Sequence, residues 1–100
     1  MTVYAIGQIS IHDRTRYVRY AAGFSATLTP YGGSLLAADE APVAIEGALA
    51  CEKVILLKFP DKAAFRAWER SPEYCEIAVD RHAATSGSVM LVQGITPVLA

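Results

Sequence analysis

The chain has 100 residues, which is the length of one domain, so we expect a single domain over residues 1–100 with no separate regulatory module. Its composition, 53% hydrophobic and 19% charged, excludes disordered, collagen-like and coiled-coil proteins. The net charge of −1 and the absence of a basic run argue against nucleic-acid binding, and no apolar stretch approaches the roughly twenty residues of a membrane span.

The first half of the chain predicts a strand, a helix and a second strand. Residues 3–12 alternate in polarity, which is typical of a strand with one apolar and one mixed face. Asp13 is a suitable N-cap for an amphipathic helix of about sixteen residues, which Pro30 ends. A Gly-Gly turn at 32–33 then leads to a short strand at 34–38. We expect this strand to be interrupted at 39–42 and to resume at 43–46.

The second half predicts a buried strand, helix and a last strand. Residues 53–59 leave no polar face, which indicates burial on both sides. Asp61 caps a helix, and Ser71 followed by Pro72 restarts it in the usual order of cap and first turn. We expect this helix to end at residues 86–87, a last strand at 89–93, and a tail at 94–100 that crosses to a partner.

This order of elements predicts the ferredoxin-like βαββαβ sandwich of the α+β class, a four-stranded antiparallel sheet with helices on one face. The charged fraction of 19% lies below the usual figure of about 25%, although a small domain has more surface per residue and should be more polar. The strand at 53–59 also has an apolar side that the helices cannot cover. We therefore predict a homodimer through the open sheet face.

The two cysteines, Cys51 and Cys75, lack the spacing of metal ligands, and residues 1–11 do not resemble a signal peptide. Reduced thiols are the default for such a chain, so we expect a cytoplasmic protein without a disulfide, a metal or a cofactor.

Several short motifs in a fixed order resemble the bacterial family catalogued as domain of unknown function 1330. The resemblance covers about residues 2–95 and is carried by Asp13, Tyr17 and Tyr20, Tyr31-Gly32-Gly33, Glu46-Gly47, Phe59-Pro60-Asp61, Ala67-Trp68, Ser71-Pro72-Glu73-Tyr74, Arg81 and Gly94. It implies the dimeric α+β barrel superfamily, whose members by fold include cofactor-free monooxygenases, muconolactone isomerases and haem-dependent chlorite dismutases. It implies no activity of its own, since fold alone does not define function. The chain departs from the family pattern at Ser34, Glu69 and Lys53.

Tyr74 and Arg81 form the best candidate site, joined by Trp68. The two residues are seven apart on one predicted helix and share a face. An arginine beside aromatic rings can hold a carboxylate or an enolate through paired N–H donors. The alternative is an arginine that lies over the helix surface or pairs with Glu46 or Asp80.

Glu46, His12 and His82 are further candidates for catalysis, besides Arg81. Glu46 is expected at a strand end, where burial could raise its pKa and make it a general base, although a structural ion pair is the commoner role. The two histidines are seventy residues apart and do not form a metal site. Each could ligate haem or act as a base, but a surface or capping role is commoner, and a chain of 100 residues can barely supply the large pocket that haem needs.

Tyr17 and Tyr20 face the predicted sheet and complete the candidate ligand-binding residues, Tyr17, Tyr20, Trp68, Tyr74 and Arg81. Three functions remain open at this stage. One is a pocket between sheet and helices that binds a small organic molecule, including an organic anion, for cofactor-free oxygenation or isomerisation or for binding alone. The others are a non-catalytic dimer with a filled core and a protein-interaction module.

Overall fold

A computed structural model describes residues 1–95, and residues 96–100 lie outside the described part of the chain. The described elements are, in chain order, β1 (Val3–Ile11), α1 (Arg14–Leu28), a 3-10 turn (Thr29–Tyr31), β2 (Ser34–Asp39), β3 (Lys53–Phe59), α2 (Lys62–Glu69), α3 (Pro72–Ala84) and β4 (Thr85–Gln93). The strands form one antiparallel sheet in the order β2-β3-β1-β4. The predicted ferredoxin-like α+β fold is confirmed, with the second helical segment divided into α2 and α3.

The helices begin where the sequence predicts, because each is preceded by a side chain that caps its free N–H groups. Asp13 Oδ1 accepts from the N–H of Arg16, and Asp61 Oδ1 accepts from that of Ala64. Ser71 Oγ accepts from the N–H of Tyr74 at 3.2 Å and donates to the carbonyl of the preceding helix. The buried Ser71 therefore both starts α3 and fixes the turn between α2 and α3.

The alternation along β1 sorts its residues onto the two faces of the sheet as predicted. Val3, Ala5 and Ile9 are buried under the helices together with Leu57 and Phe59 of β3. The core between the sheet and the helices is largely aromatic and consists of Tyr17, Tyr20, Phe24, Phe59, Phe65, Trp68 and Tyr74 with aliphatic neighbours.

The other face of the sheet carries apolar side chains but no helix. The register of β1 with its neighbours places Tyr4, Ile6, Val54, Leu56, Met90 and Val92 on this open face. The residues at its centre are half-buried, whereas Met90 and Val92 are exposed. The strand predicted to be covered on both sides is therefore covered on one side by the helices, and its second apolar side lies open in the isolated chain.

Two predicted boundaries are wrong. The segment 40–52 contains no strand, so β2 does not resume at 43–46. Val43 and Ile45 are 80% and 89% exposed. The alternating pattern at 43–46 predicted a strand, but a strand also needs a neighbouring strand to pair with, and the pattern does not show whether one is present. The last helix ends at Ala84 rather than at 86–87, and β4 begins at Thr85. Gly87 lies inside this strand, at a position where an added Cβ would clash with the Gln8 carbonyl oxygen and where the φ of 141° favours glycine.

None of the helices in the described part of the chain is long and apolar enough to cross a membrane. The predicted crossing tail at 94–100 lies mostly outside the described residues, so its course stays a prediction. Cys51 and Cys75 are both free cysteines in the structure.

Candidate functional site

A cavity of about 140 Å³ lies between the sheet and the helices. Its floor is formed by β1 and β3, and Val89 of β4 stands at one side, where it is largely exposed. Residues of all three helices form the roof. The lining consists of Ala5, Gly7, Ile9, Tyr20, Phe24, Ile55, Leu57, Phe65, Trp68, Glu69, Tyr74, Arg81 and Val89. The walls are thus mainly apolar and aromatic, with a few polar groups, which is the usual make-up of a small-molecule site.

A chain of hydrogen bonds runs from the cavity roof to the surface. The hydroxyls of Tyr20 and Tyr74 share a hydrogen bond at 3.1 Å, and Nε of Arg81 donates to the Tyr74 hydroxyl at 3.2 Å. Nη2 of Arg81 then donates to Nε2 of His82 at 2.9 Å. A guanidinium has only donors, so Nε2 of His82 must be unprotonated in this contact. Partial burial and the charge of Arg81 both lower the pKa of His82, which favours that neutral form.

Arg81 carries a positive charge that no carboxylate in residues 1–95 neutralises within 4 Å. Asp80, one of the expected partners, is instead bound by Arg16 at 2.9 Å and lies 3.6 Å from Arg19. The structure therefore does not pair Arg81 with Asp80 or Glu46. This arginine lies half-buried at the cavity with an aromatic hydroxyl on one side, so its charge is available to a bound group.

Burial of the Tyr20 hydroxyl raises its pKa far above the ordinary value of 10.0, and the neighbouring Tyr74 hydroxyl adds to the effect. Tyr20 therefore remains a neutral phenol at physiological pH and can donate or accept a hydrogen bond. The roof of the cavity thus offers the hydroxyls of Tyr20 and Tyr74 and the guanidinium of Arg81, joined by hydrogen bonds in that order.

The aromatic wall holds its shape through a second buried contact. Nε1 of Trp68 donates to Oγ1 of Thr27 at 3.0 Å, and that hydroxyl donates to the carbonyl of Phe24 at 2.7 Å. The rings of Trp68 and Tyr74 are 4.0 Å apart between centroids, and Phe24 meets Trp68 edge to face. This contact fixes the indole plane, so α1, α2 and α3 present a rigid wall.

Nine of the lining residues were not among the predicted site residues, and two of these nine, Gly7 and Glu69, affect what the cavity can bind. Gly7 forms part of the cavity floor, and an added Cβ would meet Ile55 only at 3.7 Å, an ordinary contact. The missing side chain therefore leaves space rather than relieving a clash; a glycine inside a strand is the sequence signal that could have indicated this. Glu69 also lines the cavity, while its Oε1 accepts from Nη1 of Arg66 at 2.7 Å.

A second cavity of about 170 Å³ lies on the other side of Tyr20 and Phe24, between α1 and the edge strand β2. Tyr17 belongs to this cavity rather than to the first. Lys53, whose side chain is only 11% exposed, lies 4.7 Å from the Tyr17 ring and 3.7 Å from Glu40. Glu40 also accepts from Arg14, and this hydrogen bond lowers the pKa of the Glu40 carboxyl.

The structure brings Tyr20, Trp68, Tyr74 and Arg81 to one cavity and leaves the other candidates apart. Glu46 lies exposed in the segment 40–52 and not at the end of a strand, because β2 stops at Asp39. His12 is exposed just beyond β1 and does not line the cavity. His82 is exposed and reaches the site only through Arg81.

Within residues 1–95, no group of three or more His, Cys, Asp or Glu side chains is placed to hold a metal ion.

A family model described as "Domain of unknown function (DUF1330)" matches residues 2–95. The chain belongs to this family. The DUF1330 match spans both halves of the fold and every residue that lines the first cavity. A comparison with curated proteins gives no significant match.

Solved structures with the same fold share little sequence with this DUF1330 chain. A protein of unknown function from Rhodopseudomonas palustris is 16% identical, with a TM-score of 0.80 over 96% of this chain and 84% of that chain. A dimeric ferredoxin-like protein of unknown function from Jannaschia sp. CCS1 is 15% identical (TM-score 0.74; 92% and 96%). SnoaB, a cofactor-independent oxygenase from Streptomyces nogalater, is 13% identical (TM-score 0.69; 99% and 98%). At these identities the likeness shows the fold alone.

Proposed function

We propose that this protein binds a small organic molecule, anionic ligands included, in the cavity between the sheet and the helices. The observation that carries the proposal is Arg81, a cation without a carboxylate partner in residues 1–95, at the wall of a mainly apolar cavity. Leaving a half-buried charge without a counter-ion costs free energy, and a bound anion would supply the missing partner. Tyr74 and Tyr20 would donate or accept further hydrogen bonds.

We further propose that the protein acts as a homodimer through the open face of the sheet. Apolar residues such as Ile6, Leu56 and Met90 occupy that face, and a contiguous apolar patch of this kind commonly marks an interface. The Jannaschia protein, which has the same fold, is described as dimeric. Such an interface would leave the cavity free, because the cavity lies on the opposite side of β1.

Cofactor-independent oxygenation or isomerisation in the same cavity is a second candidate. It is favoured by the adjacent Arg81 guanidinium and Tyr74 hydroxyl, since donors fixed in an apolar site can stabilise an oxyanion or enolate. SnoaB has this fold and is described as a cofactor-independent oxygenase. Oxygen uptake or product formation from a bound ligand would separate this candidate from binding alone.

Native mass spectrometry of the gently purified protein, combined with Gly7→Ala, tests the binding proposal. We expect a dimer that carries an additional small mass, and we expect Gly7→Ala to lose it because the new methyl group fills part of the floor. The variant should nevertheless gain about 0.4–1 kcal/mol of stability, because alanine restricts the unfolded chain and meets no clash.

Ala67→Val is the matched control, since it adds methyl groups on the exposed side of α2. It should leave the bound mass unchanged. An apolar fluorescent probe gives a second test, because a probe bound in the cavity should be weakened by Gly7→Ala. If the dimer carries no added mass and no such probe binding is found, the pocket is rejected and a non-catalytic structural or interaction dimer is favoured.

A further inference from the structure

The size of the first cavity limits what it can hold. Its volume of about 140 Å³ is close to that of an engineered apolar cavity of roughly 150 Å³ that takes up benzene. One six-membered ring fits such a space, whereas the second of two fused rings would lie outside it, on the side where Val89 is exposed. The hydrogen bond between Trp68 and Thr27 opposes movement of the aromatic wall.

The walls favour a flat ligand. Phe24 stands edge to face against both Trp68 and Tyr74, with ring centroids 5.9 and 6.4 Å apart. A planar guest can extend this packing, since aromatic rings prefer tilted or offset contacts at about 4.5–7 Å. On the opposite side Gly7 presents bare backbone, which lets a flat ring lie close to the strand.

The polar groups define where the charge of the ligand must lie. Arg81 has five N–H donors; one on Nε goes to Tyr74 and one on Nη2 goes to His82. Three donors, including both on Nη1, have no acceptor in residues 1–95. They match the two oxygens of a carboxylate. Glu69, the acidic residue of the lining, repels an anion and is itself held by Arg66, so an anionic group is directed to Arg81.

We infer that the ligand is a single planar ring that carries one carboxylate, with the carboxylate on Arg81 and the ring between the aromatic wall and Gly7. The inference rests on the proposed binding function and adds the ligand class. One cation in the lining fits one carboxylate, because a second would be buried without a partner. The inference concerns recognition and requires no chemical step.

Benzoate, which has one planar ring and one carboxylate, tests this inference. Three comparison probes each differ from it in the ring or in the carboxylate. Acetate has the carboxylate without the ring, toluene has the ring without the carboxylate, and 2-naphthoate has a second fused ring. We expect calorimetry or NMR titration of the full chain to show that benzoate binds more tightly than all three. Arg81→Gln should weaken benzoate roughly 10- to 100-fold and leave toluene unchanged.

Two variants serve as controls. Arg19→Gln removes an exposed guanidinium whose described partner is Asp80, and it should leave benzoate binding unchanged. Gly7→Ala should weaken both benzoate and toluene, because it reduces the ring space without removing the cation. Circular dichroism checks that each variant is folded, and the Gly7→Ala result stands even if Arg81→Gln unfolds.

The outcomes separate the inference from the proposed function. If 2-naphthoate binds as tightly as benzoate, or Arg81→Gln binds benzoate like the wild type, the ligand class is overturned while the pocket stands. If acetate binds as tightly as benzoate, the ring has no role and the ligand class is likewise overturned. If neither these probes nor an apolar fluorescent probe binds and no added mass is seen, both fall.

Discussion

Removal of the Tyr74 hydroxyl by Tyr74→Phe should destabilise the protein more than removal of the Tyr20 hydroxyl. The Tyr74 hydroxyl lies between two partners, Tyr20 at 3.1 Å and Arg81 at 3.2 Å. Its loss leaves the deeply buried Tyr20 hydroxyl without a partner, which costs about 1–3 kcal/mol. Tyr20→Phe leaves the Tyr74 hydroxyl with its bond from Arg81, so we expect a cost of about 0.5–1.5 kcal/mol.

The double variant gives the sharper comparison. Replacing both Tyr20 and Tyr74 by phenylalanine removes the donor and the acceptor together, so its cost should fall below the sum of the two single costs by at least about 0.5 kcal/mol. Urea unfolding followed by the fluorescence of Trp68, whose ring packs on Tyr74, measures the three free energies at one protein concentration.

Tyr31→Phe is the matched control, because the Tyr31 hydroxyl makes only a long, exposed contact of 3.4 Å with Glu73. We expect it to cost less than about 0.5 kcal/mol. If Tyr74→Phe costs no more than Tyr31→Phe, or if the Tyr20 and Tyr74 effects simply add, the buried hydroxyl pair does not have the role described here.

The same pair makes stability depend on pH in alkaline solution. Burial, and then the Tyr74 hydroxyl, raise the pKa of Tyr20 in the folded state above its unfolded value near 10. Folding therefore keeps Tyr20 neutral at pH values where the unfolded chain loses this proton. The contribution of Tyr20 to the free energy of unfolding is complete below pH 10 and is lost as the pH rises further. The loss is about 1.4 kcal/mol per pH unit for one group, and Tyr20→Phe should remove that slope.

Three shorter predictions concern other parts of the molecule. Ser71→Ala removes the buried cap of α3 and should cost about 1–2 kcal/mol in thermal or urea unfolding; no loss would contradict the capping role. Leu56→Glu on the open sheet face should convert a dimer to a monomer in light scattering, whereas Val79→Glu on the exposed side of α3 should not; a Leu56→Glu dimer would reject the interface. Arg81→Gln should raise the pKa of His82 part of the way towards its ordinary value in an NMR titration, because the neighbouring charge is lost while the partial burial remains; an unchanged value would refute the contact.

Local signals located the helix starts and the central strands because short-range interactions decide them. Asp13, Asp61 and Ser71 cap helices through contacts within three residues, and the alternation of β1 follows from the period of two in a strand. The segment 40–52 and the start of β4 were placed wrongly because pairing partners decide them. The sequence pattern predicts a helix end at Gly87, but Gly87 lies in a strand because it pairs with Ile9 of β1 across the sheet.

The sequence by itself determined the α+β fold, the aromatic face of α1 and the shared face of Tyr74 and Arg81. It could do so because periodicity and helix capping depend on residues that are close together in the chain. Only the tertiary structure decided which side chains meet. It set Tyr20 of α1 against Tyr74 of α3, bound Asp80 to Arg16 rather than Arg81, and left Glu46 outside the cavity. These contacts join residues far apart in the chain, so they depend on how helices pack on the sheet and no local pattern encodes them.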